Sequence, residues 1–129
     1  MAEDNNRRDE NQDSSHTASD GSRRMDEILT ALADTHRRYV LYHLQDVEQA
    51  SVTDTAEQVA AWKEENPPPA VPDDAVEQCE LRLSHHHLPT LEEMSLIEYD
   101  DRSKQLVFTD PPELVDLCLD HCADRDLPG

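Results

Sequence analysis

The sequence predicts a mainly α domain with a β-hairpin, carried behind a polar tail. Two observations predict it. Apolar residues recur at helical spacing in several stretches from residue 25 onward, and the period shortens to two in only one place, residues 97–108. Most of these stretches also begin at residues suited to start a helix.

Residues 1–23 come first. After Met1 they hold no aliphatic side chain larger than alanine, so they are expected to be a disordered tail ahead of a domain over 24–129. In "MDEILTALADTHRRYVLYHLQ", Met25, Ile28, Leu29 and Leu32 keep helical spacing. Asp34 and Thr35 then supply an N-cap for a second helix whose Val40, Leu41 and Leu44 share a face. "SVTDTAEQVAAWKEEN" is a third helix. Asp54 and Glu57 stand at capping-box spacing, Ala56, Val59, Ala60 and Lys63 form a stripe, and Trp62 borders it.

"NPPPAVP" predicts an extended connection, because each proline biases its predecessor away from the helix. Asp73 and Asp74 restart a helix toward Met94, with Asp74 and Glu77 again at capping-box spacing. Pro89 lacks a donor for the His85 carbonyl and should kink or end that helix. "LIEYDDRSKQLVF" holds two alternating runs about a polar turn, the pattern of a β-hairpin, and Pro111 and Pro112 open a last helix. With the first two counted as one bent helix, the order helix, helix, helix, hairpin, helix is that of a winged helix-turn-helix domain.

Charge narrows the setting. The chain carries 11 Lys and Arg against 30 Asp and Glu, a formal net charge of −19. Apolar periodicity argues for an ordered chain, and an ordered chain with this excess suits concentrated salt, where the Debye length falls to about 3 Å at 1 M. A halophilic cytosol is therefore expected. The N-terminus lacks the apolar core of a signal peptide and no stretch approaches a membrane span, so a cytoplasmic protein without a membrane partner is expected. Three cysteines fit no disulfide framework and are expected to be free thiols.

Three consecutive histidines stand out. On a helix over 74–94, Val76, Cys79, Leu83, His87, Leu91 and Met94 lie within about 60° of one meridian. His87 therefore faces the core, while Gln78, Arg82, His85, His86, Pro89 and Glu93 face away. A metal site would need a ligand from elsewhere, since no H-x-x-x-H or C-x-x-C pattern is present, and neither metal nor cofactor is expected. Cys118 and Cys122 are four apart beside His121. They could bind a soft metal or sense oxidants, and the plainer account is a packing stripe with Leu114. With two glycines in the chain and no nucleophile–base spacing, an enzyme is not expected.

"LTALADTHRRYVLYHL", "AEQVAAW", "HHHLPTLEEMSLIEYDDRS" and "LVF" together resemble a haloarchaeal winged-helix family of unassigned function, itself similar to the arsenical-repressor type of transcription regulator. The resemblance covers residues 25 to about 110. Ser95 stands where such sequences commonly have glycine, the residue best suited to a left-handed helix end.

The resemblance implies a DNA-binding transcriptional regulator that places the helix before the wing in the major groove. Gln78, Arg82, His85, His86 and Thr90 would read DNA there, with Arg102 and Lys104 on the wing. It also implies a homodimer through the terminal helices 25–33 and 112–123. The alternative is a winged-helix protein–protein interaction module that does not bind DNA. Residues 25–129 carry 24 acids against 7 Lys and Arg, a poor footprint for phosphates, although counterion release drives binding weakly in molar salt.

Overall fold

The computed structural model describes residues 16–127 and divides the chain into two units, residues 1–30 and 31–129. In the first unit begins helix α1 (His16–Leu32), eight residues ahead of the domain start expected at residue 24. "HTASDGSRR" holds one glycine and no proline, so a helix nucleated on the apolar residues after it can propagate back through it. The disorder expected over residues 1–15 lies outside the described residues. Within this unit Ile28 is buried, while Met25 and Leu29 are exposed.

The second unit holds the sheet and most of the core. Helix α2 (Thr35–Val47) is capped by Asp34, whose Oδ1 accepts from the amides of His36 at 2.8 Å and Arg37 at 3.4 Å. Its Val40, Leu41 and Leu44 are fully buried, as their spacing predicts. A short strand, β1 (Gln49–Ser51), leads into helix α3 (Val52–Glu64). The cap of α3 is Ser51, not Asp54: Ser51 Oγ accepts from the Asp54 amide at 2.9 Å. Ser51 and Asp54 therefore hold the cap and third positions that the sequence had assigned to Asp54 and Glu57. Ala56, Val59 and Ala60 are buried, but Lys63 is exposed.

The proline run is a 3-10 turn at Pro68–Ala70 rather than an extended link. Proline's fixed φ suits that turn, and the bonds it needs are donated by Ala70 and Val71, which keep their N–H groups. Helix α4 (Asp73–Arg82) follows without a side-chain cap, so Asp74 and Glu77 form no capping box. Asp73 and Asp74 instead sit in the first turn, where the helix dipole favours negative charge.

A π turn at Leu83–His87 joins α4 to helix α5 (Leu88–Glu93), with the Leu88 amide bonding back five residues to the Leu83 carbonyl. Pro89 explains it. The missing donor and the ring's clash with the carbonyl four residues back are absorbed by one wider turn instead of a break. The π turn also puts Leu88 on the buried face beside Leu83, His87 and Leu91.

Strands β2 (Ile97–Asp100) and β3 (Gln105–Phe108) form the expected hairpin, and β1 pairs on the free side of β3, giving an antiparallel sheet ordered β1-β3-β2. Leu106 lies opposite both Ala50 and Tyr99 and is fully buried. Ser95 takes φ 62, the left-handed helix end its position implied.

Helix α6 (Glu113–Asp126) packs on α2. Its buried stripe is Val115 and Leu119, with Cys118 and Cys122 half-buried beside it, so the expected Leu114 stripe is out of phase by about one residue. Asp126 at the helix end ties α6 to α2, its carboxylate accepting from Arg38 Nε at 2.6 Å, Arg38 Nη2 at 3.2 Å and Tyr42 Oη at 2.6 Å. Trp62 borders its stripe as predicted and packs on Tyr39 and Tyr42, with ring centroids at 5.5 and 6.4 Å. The layout is mainly helical with a small antiparallel sheet, compatible with a winged helix. Among the described residues no helix is long and apolar enough to cross a membrane.

Candidate functional site

The histidine run meets the start of α2. His87 is 6% exposed and Arg37 is 9% exposed. Arg37 Nε donates to His87 Nδ1 at 3.1 Å, and Arg37 Nη2 lies 3.2 Å from His86 Nε2. The His36 ring stacks on His87 at 5.5 Å with the planes 10° apart. Asp34, which caps α2, also lies 3.6 Å from His36 Nδ1.

Charge follows from this packing. Burial pushes His87 down to about 4, with Arg37 and His86 adding to the fall and Asp34 opposing it. His36 is lowered by burial, by Lys63 and by Arg82, again against Asp34. Burial alone would raise Asp34, yet it is held low, by His87 where that ring is protonated in acid, by the two amides it caps and by the Arg37 guanidinium. His87 is thus neutral, and because its Nδ1 accepts from Arg37, its proton sits on Nε2.

Asp34, His36 and His87 each bring one donor atom within 4.8 Å of the others, the combination the sequence pattern lacked. Such a set could hold a metal ion only by displacing the Arg37 guanidinium from His87 Nδ1, because the other ring nitrogen carries the proton.

A cavity of about 60 Å³ opens beside this cluster between α3 and α4. Lys63, Gln78, Arg82, His36 and His87 line it, with Glu64 as the one carboxylate in its wall. Cys79 also borders it, and burial raises its thiol to about 11, so it is uncharged.

Of the residues singled out by sequence, Gln78 and Arg82 are exposed and brought together at this cavity. His85 is exposed and does not line it. His86 is exposed and its ring is tethered to Arg37. Thr90 is half-buried, its hydroxyl donating to the His86 carbonyl at 2.9 Å, which leaves only lone pairs for a partner. Arg102 and Lys104 stand on the β2–β3 turn, Lys104 with φ 58 and its Nζ 3.4 Å from Asp101 Oδ1.

Residues 29–107, well over half the chain, match a family described as a domain of unknown function, DUF7344. The chain belongs to that family. Its matched span takes in the Asp34 cap, Arg37, Lys63, the histidine run and the hairpin up to Val107. No curated protein and no solved structure matches the chain.

Sequence reasoning missed Asp34, His36, Arg37 and Lys63 as members of one site. Asp34 was legible as a cap but not as a partner of His87. The pairing of Arg37 with His87 spans 50 residues and leaves no local pattern. The available signal was a cation and a histidine, each on an otherwise apolar face, and buried charge demands a partner.

Proposed function

We propose that the chain is a winged-helix DNA-binding transcriptional regulator, working in the cytoplasm of a halophilic archaeon. The observation that carries this reading is the order helix, strand, helix, helix, strand, strand with sheet order β1-β3-β2, which suits a helix presented to the major groove beside a hairpin wing. In support, α4 and its π turn expose Gln78, Arg82 and His85, groups able to hydrogen-bond to base edges, and Arg102 and Lys104 are exposed on the turn of the hairpin.

The regulator acts as a homodimer through its terminal helices. Met25 and Leu29 are exposed on α1, and Leu117 is exposed on α6. Ile28, Leu32, Val115 and Leu119 are buried within the chain and leave the self-association surface smaller than the sequence suggested.

A second reading, an interaction module that does not bind DNA, is favoured by one observation. Of the seven Lys and Arg in residues 25–129, Arg37 is buried and Arg38 is bonded to Asp126, so few remain for phosphates. Selection from a random duplex library at about 2 M salt, where nonspecific attraction is screened, separates the two. A DNA reader enriches one motif and loses it on Arg82→Ala. An interaction module enriches none.

A further inference from the structure

Lys63 and Arg82, like Arg102 and Arg125, are cations without a side-chain partner among the described residues. Residues 25–129 hold 24 carboxylates, yet neither Lys63 nor Arg82 forms a side-chain ion pair or hydrogen bond with a protein group among the described residues. Both instead line one cavity, where both act on the same ring, that of His36.

The other polar walls bring one carboxylate, Glu64, and two neutral donors. Gln78 offers an amide NH₂ without a protein partner among the described residues. Arg37 fixes the His87 tautomer so that Nε2–H is the ring's remaining donor, and that nitrogen meets no protein acceptor among the described residues. It is not sealed from solvent either, since the only buried side-chain polar atom without a partner among the described residues is His43 Nε2.

The cavity therefore gathers two fixed cations and two neutral donors against a single carboxylate, Glu64, in a molecule whose net charge is negative. A cation would meet these donors head-on. An anion with several acceptor oxygens would satisfy them, and hydrogen bonds between charged partners are the stronger kind. At about 60 Å³ the space holds roughly four waters, room for one oxyanion head and not for a whole metabolite.

We propose that the cavity between α3 and α4 binds a single oxyanion group, the phosphate or carboxylate of a small acidic molecule, through Lys63, Arg82, Gln78 and His87. The rest of such a molecule extends into solvent past the exposed ends of Lys63 and Arg82. The proposal does not depend on DNA binding, and its test contains no nucleic acid.

The test is a nuclear magnetic resonance titration of the full chain with inorganic phosphate and, separately, acetate, each replacing chloride at constant ionic strength. The expected result is a saturable shift of the Lys63, Gln78 and Arg82 side-chain signals and of the His87 Nε2–H with at least one probe. Phosphate alone identifies a phosphate site, and acetate alone a carboxylate site. The double variant Lys63→Met, Arg82→Met should weaken binding about tenfold or more, as loss of charged hydrogen bonds requires. His87 Nε2–H should remain visible in that variant, showing the cluster intact.

Shifts confined to other residues, no saturable shift with either probe, or equal affinity in the variant overturns the proposal. So does zinc, added alone, shifting His36 and His87 saturably while neither anion does. The wild-type titration decides the matter even if the double variant does not fold.

Discussion

Replacing His87 tests the buried cluster at its centre. His87→Ala removes the acceptor from Arg37 Nε, a charged donor on a residue only 9% exposed, and leaves a void beside fully buried Leu83 and Leu91. Loss of the acceptor costs about 1–3 kcal/mol, and the void raises the total to about 2–4 kcal/mol. His87→Phe keeps the ring and loses the acceptor, so it should cost about 1–3 kcal/mol. His87→Asn places an oxygen near Nδ1 and should cost less than the phenylalanine. The exposed His85→Ala should stay within about 0.5 kcal/mol of the parent.

Acid supplies an independent arm. His87 titrates near 4 when folded and near 6.5 when unfolded. Between those values the unfolded chain binds more protons, so the contribution is fully present above 6.5 and is lost as pH falls toward 4, by up to about 3 kcal/mol. Burial lowers His36 and His43 as well, which act in the same direction. Loss of negative charge on acidification relieves repulsion and opposes this, so the comparison belongs in molar salt. Urea midpoints of the parent and His87→Asn at pH 7.5 and 4.5 (about one unit above and two below the ordinary histidine value) give the answer. The parent should lose distinctly more stability than the variant. Equal losses, or a His87→Phe as stable as the parent, would refute the neutral, Arg37-bonded histidine.

Three further outcomes are expected. Asp126→Asn replaces one of two accepting oxygens with a donor facing Arg38 or Tyr42, and should cost about 2–3 kcal/mol by urea denaturation. Ser95→Gly relieves a left-handed residue at φ 62 and should stabilise by about 1 kcal/mol, read as a higher urea midpoint. Circular dichroism should show helix lost below a few hundred millimolar salt, where 24 acids against 7 Lys and Arg repel unscreened; a cooperative melt unchanged from about 0.05 to 2 M would contradict that.

The helices and the hairpin were legible because each carries its own period, and His87 was placed inward correctly from the spacing of Leu83, Leu91 and Met94. Strand β1 was not, since three residues with only Ala50 buried show no alternation and owe their form to pairing with β3. The π turn was half legible. Pro89 announces a disturbance, but whether the helix breaks or widens depends on how Leu83 and Leu88 pack. The candidate site was least legible, because Arg37 and His87 meet only once α2 and the π turn are folded together, and Lys63, in line with Val59 and Ala60, is exposed at the end of α3.

The proposed function requires that the helix before the hairpin reads DNA. Genome-wide crosslinking of the tagged chain in its own high-salt cell tests it most directly, run beside an Arg82→Ala, His85→Ala variant. These two residues are exposed and free of the core, so the variant should fold as the parent does. Discrete sites with paired half-sites are expected for the parent, and their loss in the variant. Crosslinking spread evenly over the genome, or peaks that the variant retains unchanged, would contradict it.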